Sequence, residues 1–323
     1  MIPVVTLAIT VAMVIISLVT NAVALGQLRV KTFPIKNQCI LPGICRVKGH
    51  TPEVFEYTQK DTFLKQLNDT SPINTNITNI VHVTWFNGPK ELMFHHFVSL
   101  LSIRKVLKPK RLLFWYTVKP EGLYWNQTVE RLPELTPVHR TLPTTILGSP
   151  LNVSQQQADA AKLEAVMEYG GIYIDLNVIV VKPFTPLFKY NVTMGYEAPG
   201  KLSTSIIVAK PWAEFLKLWY RGIATSNGNS KQDTKVPLNQ PETLLHIEST
   251  SLTLPNTDES MYGPGPFDWE KSNFVVPTWI GTSKRQSLGT KLNATEIRMW
   301  KCVAGEVFRY IYFGDKNLIQ PVY

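Results

Sequence analysis

The sequence predicts an α/β chain, a parallel sheet with crossover helices, on three observations. Ile80-Val81-His82-Val83-Thr84-Trp85-Phe86 is dense in β-branched and aromatic residues and stops at Asn87-Gly88-Pro89, as a buried strand closed by a turn does. Residues 91 to 107 carry Phe94, Phe97, Leu100, Leu101 and Leu107 on one helical face. Leu112 to Tyr116 is a second short apolar run. Strand, helix, strand in that order is the parallel crossover unit.

From the amino terminus, residues 2 to 26 form an uncharged apolar run long enough to cross a bilayer. It reads as a signal anchor, with a cleaved signal peptide as the alternative, because Ala22-Val23-Ala24 fits a small-residue cleavage site. Asn-x-Ser/Thr sequons at Asn68, Asn76, Asn126, Asn152, Asn191 and Asn293 all follow this run, which suits a lumenal or extracellular body. Residues 27 to 77 are mixed and polar and read as a stem, with short helical pieces around Glu53 to Leu67. The folded domain is expected over 78–323.

Within that domain a second helix is expected from about Gln155 to Tyr169, with Leu163, Val166 and Met167 on one face and Gly170 as its stop. A strand over Ile172 to Asp175 follows at once. Thr204 to Ala209 reads as a strand, and Pro211 to Tyr220 as a helix with proline in its first turn. Val303 to Phe313 fits either a helix or a strand.

The 323 residues suffice for one large α/β domain or two small ones. The net charge of +9 favours anionic partners such as nucleotides, acidic glycans or anionic lipid. Apart from Lys105 to Arg111 the basic residues are scattered, with no stripe or recognition motif, so nucleic acid is not an expected partner. Cys39 and Cys45 are close enough to close a small loop in an oxidising compartment, although pairing cannot be read from sequence; any pairing leaves one thiol over.

The chemistry gathers between residues 156 and 177. Asp159 and Lys162 are three apart on the expected helix and share a face. That helix turns at Gly170-Gly171 and feeds a strand. Asp175 and Asn177 lie at or just past the strand's carboxyl end, where open α/β sheets bind ligands. Two oxygen-bearing side chains there could hold a divalent cation that neutralises a pyrophosphate.

Gln156-x-x-Asp159-x-x-Lys162 followed by Tyr169-Gly170-Gly171-Ile172-Tyr173-Ile174-Asp175-Leu176-Asn177 resembles the glycosyltransferases that carry a DXD sugar-binding region, the group of the α-1,4-galactosyl- and α-1,4-N-acetylglucosaminyltransferases and yeast mannosyltransferases. Their pattern is approximately H-x-S/A-D-x-x-R, about seven residues, then Y-G-G-I-Y-L-D-x-D. The resemblance extends to Val81 to Trp85, Pro120 to Trp125, Val180 to Phe184 and Ile206 to Pro211, so it covers residues 79 to 225 and fades after them.

The resemblance implies a GT-A fold, a Rossmann-like mixed sheet flanked by helices. It implies a nucleotide-sugar donor, UDP-sugar favoured, a glycan or glycolipid acceptor, and transfer of a hexose or N-acetylhexosamine with retention of configuration. Trp85 would stack on the base. Asp159 and Lys162 would hold the donor sugar, with Gly171 and Tyr173 lining the same site. Asp175 and Asn177 would handle ribose, Mn²⁺ or Mg²⁺ and diphosphate, with Asp175 and Asp159 as the catalytic carboxylates. The implied setting is the Golgi membrane, single-pass type II, with a secreted form as the alternative.

Three positions depart from the pattern. Gln156 stands for the family's His, Lys162 for its Arg, which loses planar bidentate recognition, and Asn177 for its second Asp. No His follows residue 246, where related enzymes often place a further ligand. The alternatives are therefore a weakened or metal-independent member for which Mn²⁺ or Mg²⁺ is dispensable, an inactive GT-A domain that binds glycans or assists another transferase, and a secreted structural or adhesive glycoprotein. His95 and His96 are adjacent, so on a helix they diverge as a metal pair. Asp258, Glu259 and Asp268 are candidates for acceptor contacts.

Overall fold

The computed structural model describes residues 39–320 apart from 50–53, 73, 87, 199–200, 226–240, 253–257, 264–266 and 281–285. The apolar run at 2–26 lies outside the described residues. Among the described residues no helix is long and apolar enough to cross a membrane.

The chain opens with three short strands, β1 (Cys39–Leu41), β2 (Ile44–Arg46) and β3 (Phe55–Tyr57), and helix α1 (Phe63–Asn68). Next come β4 (Ile80–Trp85), α2 (Phe94–Ser102) running on into a π-helical turn at Ile103–Leu107, β5 (Arg111–Tyr116), α3 (Leu123–Arg131) and β6 (Leu135–His139). A small hairpin, β7 (Thr145–Ile146) and β8 (Ser149–Pro150), leads into α4 (Ser154–Tyr169). Then follow β9 (Gly171–Ile174), β10 (Val178–Val180), β11 (Val192–Ala198), β12 (Lys201–Ala209) and α5 (Glu214–Thr225). The last segment holds β13 (His246–Glu248), α6 (Asp258–Tyr262), α7 (Trp269–Ser272), β14 (Val275–Pro277), α8 (Gln286–Lys291) and α9 (Val303–Tyr312).

Among the described residues ten strands form one mixed sheet, in the order β1-β2-β3-β6-β5-β4-β9-β12-β11-β13. Its centre is parallel: β4 pairs with β5 and β9, and β5 with β6. β12 then runs antiparallel to both β9 and β11. The crossover unit read from sequence is thus the sheet's core, and the antiparallel strands make the whole mixed. Val303 to Tyr312 is helical, because Val303, Val307, Phe308 and Ile311 bury one face.

The expected stem boundary at residue 77 does not hold for the described part. Residues 39–57 add an edge to the sheet, with β3 parallel to β6 through Phe55 beside Val138. A disulfide joins Cys39 to Cys45 and closes the β1–β2 hairpin. Three-residue strands carry too little periodicity to be seen in a polar stretch.

Alternation along the central strands sends side chains to two faces. Val81, Val83, Trp85, Phe114, Ile172 and Ile174 pack towards α2 and α9. On the other face Tyr173 and Ile207 pack towards α4 and α5, and Leu113 and Trp115 lie beneath Ala165 and Tyr169 of α4. α4 is therefore buried along most of its length, and its charged residues need partners.

His82, wholly buried in β4, accepts a hydrogen bond at Nδ1 from Trp115 Nε1 at 3.1 Å and donates from Nε2 to Gly170 O at 2.9 Å. It is held neutral, with burial pushing its pKa down to about 4, and burial takes His95 to about 4 as well. The unfolded chain protonates both near 6.5, so their stabilising effect is complete above pH 6.5 and is lost as pH falls towards 4. Between those limits each histidine should cost about 1.4 kcal/mol per pH unit. Thermal unfolding from about pH 7.5 to about pH 4.5 checks this. A melting temperature flat down to pH 5 would contradict it, and His82→Gln should make the decline shallower.

Candidate functional site

The site is built where α4 passes over the carboxyl ends of β4 and β9. Asp159 and Lys162, one helical turn apart, form an ion pair of 2.9 Å, and both side chains are about nine-tenths buried. Lys162 Nζ also lies 5.0 Å from the centre of the Tyr173 ring. The Tyr173 hydroxyl is hydrogen-bonded to Thr84 Oγ1 at 3.0 Å, tying β9 to β4. Burial pushes the Tyr173 phenol well above its usual range, and the negative charges of Asp175 and Asp159 push it further. Tyr173 is thus a neutral hydroxyl between two carboxylates.

Asp175 follows β9 directly. Its backbone N–H still reaches across to Ser205 O of β12 at 2.8 Å, and then the chain turns away. The carboxylate makes the turn: Oδ1 accepts the Asn177 N–H at 2.8 Å, a local side-chain-to-backbone closure typical of Asp. Oδ2 carries no hydrogen bond among the described residues. Asn177 is exposed, and its carbonyl accepts from both Thr278 N (2.8 Å) and Thr278 Oγ1 (3.0 Å). β10 then pairs with β14, Val178 beside Pro277.

Sequence reasoning therefore placed Asp159, Lys162, Tyr173 and Asp175 together, with Asn177 beside them. Two of its candidates stand apart. Gly171 begins β9, about 13 Å of strand before Asp175. Packing by itself requires glycine there: at φ +98°, a Cβ would sit 2.3 Å from Ile80 O. Trp85 reaches the carboxyl edge on the opposite face from Tyr173. It lies edge-on to His96, and its Nε1 donates to Pro89 O at 3.1 Å.

Of the acceptor candidates, Asp268 caps α7 by accepting the Lys271 N–H at 3.2 Å, and Glu259 is exposed. The side chain of Asp258 lies outside the described residues. His95 and His96 do not diverge as expected: their ring centres are 3.8 Å apart, both buried, with His96 Nδ1 accepting the Met93 N–H.

Sequence reasoning missed Thr84 and Thr278, which hold Tyr173 and the Asp175–Asn177 turn. Both are single hydroxyls without a pattern, and Thr278 is far along the chain. From sequence, Gln156 is only the residue standing for the family's His, with no role of its own. It lies one turn ahead of Asp159 on the same side of α4 and is 3% exposed, and neither its amide nitrogen nor its oxygen has a partner among the described residues. A buried amide in that state needs a polar neighbour.

Residues 116–194 match the family model described as glycosyltransferase sugar-binding region containing DXD motif. That segment holds Asp159, Lys162, Tyr173, Asp175 and Asn177. One curated relative, glucan organizing enzyme 1 of Cryptococcus neoformans var. grubii, is 32% identical over 149 residues, 43% of this chain and 40% of the relative. The chain thus spans less than half the length of that relative.

Among solved structures, the galactosyltransferase LgtC in complex with donor and acceptor sugar analogs is 12% identical. The overlap covers 75% of this chain and 98% of LgtC, with a TM-score of 0.37. PaToxG glycosyltransferase is 14% identical over 50% of this chain and 65% of its own, with a TM-score of 0.34. Scores at that level bear on neither the fold nor the chemistry.

Proposed function

We propose that the chain is a glycosyltransferase that takes a hexose or N-acetylhexosamine from a nucleotide sugar, UDP-sugar favoured, and transfers it with retention to a glycan or glycolipid acceptor. The observation that carries this reading is the convergence of Asp159, Lys162, Tyr173 and Asp175 at the carboxyl end of β9, inside the segment that matches the sugar-binding family model. A GT-A arrangement follows from the same reading, as does a lumenal Golgi setting with the 2–26 run as anchor. The sequon residues Asn68, Asn76, Asn126 and Asn152 are exposed, which supports that setting.

In this reading Asp159 accepts hydrogen bonds from sugar hydroxyls while Lys162 holds its orientation. The neutral Tyr173 hydroxyl can donate or accept beside them. Asp175, already fixed by its turn, presents Oδ2 to the ribose–diphosphate end. The donor set also fits a divalent cation. Asp175 and Asn177 offer two hard oxygens on one turn, with diphosphate and water completing the shell, as Mg²⁺ sites commonly do. No cluster of three His, Cys, Asp or Glu able to hold a metal forms among the described residues. When bound, Mn²⁺ or Mg²⁺ would neutralise charge on the departing diphosphate.

The test is nucleoside diphosphate release from a panel of UDP- and GDP-sugars, with and without Mn²⁺, on the whole chain. Release from at least one UDP-sugar supports the proposal. No turnover with any donor would sink it and favour the inert glycan-binding alternative, and no UDP binding by calorimetry would favour a structural glycoprotein. Asn177→Asp adds a charge to the cation site. It should lower the Mn²⁺ concentration for half-maximal activity by about tenfold, equivalent to about 1.4 kcal/mol.

A further inference from the structure

A cavity of about 760 Å³ opens on the other flank of α4, between α1, the loop after β6, and α5. Its size is that of a ligand pocket rather than a packing flaw. The Asp159–Asp175 site does not contribute to it.

The floor is a buried ion pair. Arg140 Nη2 meets Glu164 Oε2 at 2.6 Å, with both side chains under 5% exposed. Arg140 Nη1 donates to Ala161 O at 2.9 Å, and the guanidinium lies 4.4 Å from the centre of the Tyr57 ring. The Tyr220 hydroxyl donates to Glu164 Oε1 at 2.8 Å. Arg140 Nε is buried and carries no hydrogen bond among the described residues.

Behind the floor, Lys60 pairs with Glu168 at 3.3 Å, and Tyr57 donates to the same carboxylate. The charges therefore cancel in pairs, one Arg with one Glu and one Lys with one Glu. Such a pocket gives an anion or a cation no net attraction. What it offers instead is neutral: hydroxyls and amides of Thr58, Gln59, Thr141 and Thr145 on its walls. At the rim Leu64 and Leu147 are 56% and 45% exposed. Neutral hydrogen-bonding walls with apolar lips match a ring that has hydroxyls at its edge and a C–H face. Asn68, another wall residue, is itself the asparagine of an N-glycosylation sequon.

We infer that this cavity is a second carbohydrate site, one that takes a neutral oligosaccharide. The sugar comes either from a free glycan or from a glycan linked to Asn68, and the chemistry of recognition is the same. The inference stands apart from the transfer reading, since no residue of the Asp159–Asp175 site takes part.

The experiment titrates chitotriose, maltotriose and laminaritriose into the whole chain, with trigalacturonic acid as the anionic control and UDP as an independent probe of the donor site. Glycopeptide mapping reports whether Asn68 is occupied, and Asn68→Gln removes the attachment. At least one neutral trisaccharide should bind, to the wild type if Asn68 is bare and to Asn68→Gln if it is glycosylated. Thr141→Trp, at an exposed wall position, and Leu147→Asp, at the rim, should each weaken that binding by about tenfold or more and leave UDP binding within about twofold. The inference is overturned if no neutral trisaccharide binds either protein, if trigalacturonic acid binds equally well, or if both variants bind like wild type. Because UDP reports the donor site alone, failure here leaves the transferase proposal standing, and the reverse holds too.

Discussion

Asp175→Ala is expected to lower sugar-transfer turnover by about 10²–10³-fold while leaving the chain folded. On the proposed reading Asp175 helps hold the cation that would neutralise the departing diphosphate, and deleting a single preorganised group that acts on developing charge costs about 10²–10³-fold. The structural cost is small. Asp175 is half-buried, and its side chain makes one local hydrogen bond, to Asn177 N–H, worth about 1 kcal/mol. Asp175→Asn separates the two roles. Its amide oxygen can still close the turn, so stability should match wild type, while the loss of charge should remove most of the turnover. Comparable turnover in Asp175→Asn and wild type would show that the carboxylate serves only the turn, and the proposed chemistry would fall with it.

Gly171→Ala should be among the more damaging single methyls in the described residues, destabilising the fold by about 3 kcal/mol or more. Gly171 holds φ +98°, a region that costs an L-residue of the order of 1–3 kcal/mol by itself. The new Cβ would also lie 2.3 Å from Ile80 O and 3.1 Å from Thr78 Oγ1. Neither strand can yield easily, because Val81 is paired with Ile172 and His82 with Tyr173 in the centre of the sheet. Gly170→Ala should be only slightly milder: at φ +62° its Cβ would meet Pro211 Cδ at 2.5 Å. Gly222→Ala is the control. It lies in α5 with nothing within 4 Å of the added Cβ, so it should gain about 0.5–1 kcal/mol from helix propensity. Denaturant unfolding of the three variants measures this directly, and a Gly171→Ala midpoint equal to wild type would refute the packing argument.

The central sheet was legible because its strands and helices state their periods strongly. The helix expected from Gln155 to Tyr169 is α4, Ser154–Tyr169, and the glycine pair ends it as read. The edge strands were illegible for the opposite reason. β1 and β3 are three residues each and owe their order to the Cys39–Cys45 crosslink and to pairing with β6, both of which are contacts across sequence.

The site divides similarly. Asp159, Lys162, Tyr173 and Asp175 were found because one helix and one strand carry them in fixed register. Alternation along β4 puts Thr84 and Trp85 on opposite faces, but nothing in the sequence says which face α4 covers, so Trp85 was grouped with residues on the other side of the sheet. Gly171 was read as part of the ligand site because it belongs to the same motif, whereas its φ and the neighbouring Ile80 carbonyl give it a packing reason that the motif does not state.

Thr278 grips the Asn177 carbonyl twice, and β14 zips onto β10 immediately afterwards. The stretch that matches the family model ends at residue 194, some eighty residues before that grip. A fragment cut to that stretch would keep Asp159, Lys162, Tyr173, Asp175 and Asn177 and lose the clasp on the turn that holds the last two. Resemblance and autonomy therefore have different borders in this chain: the stretch that the family model matches is shorter than what must be synthesised to keep Asp175 in place.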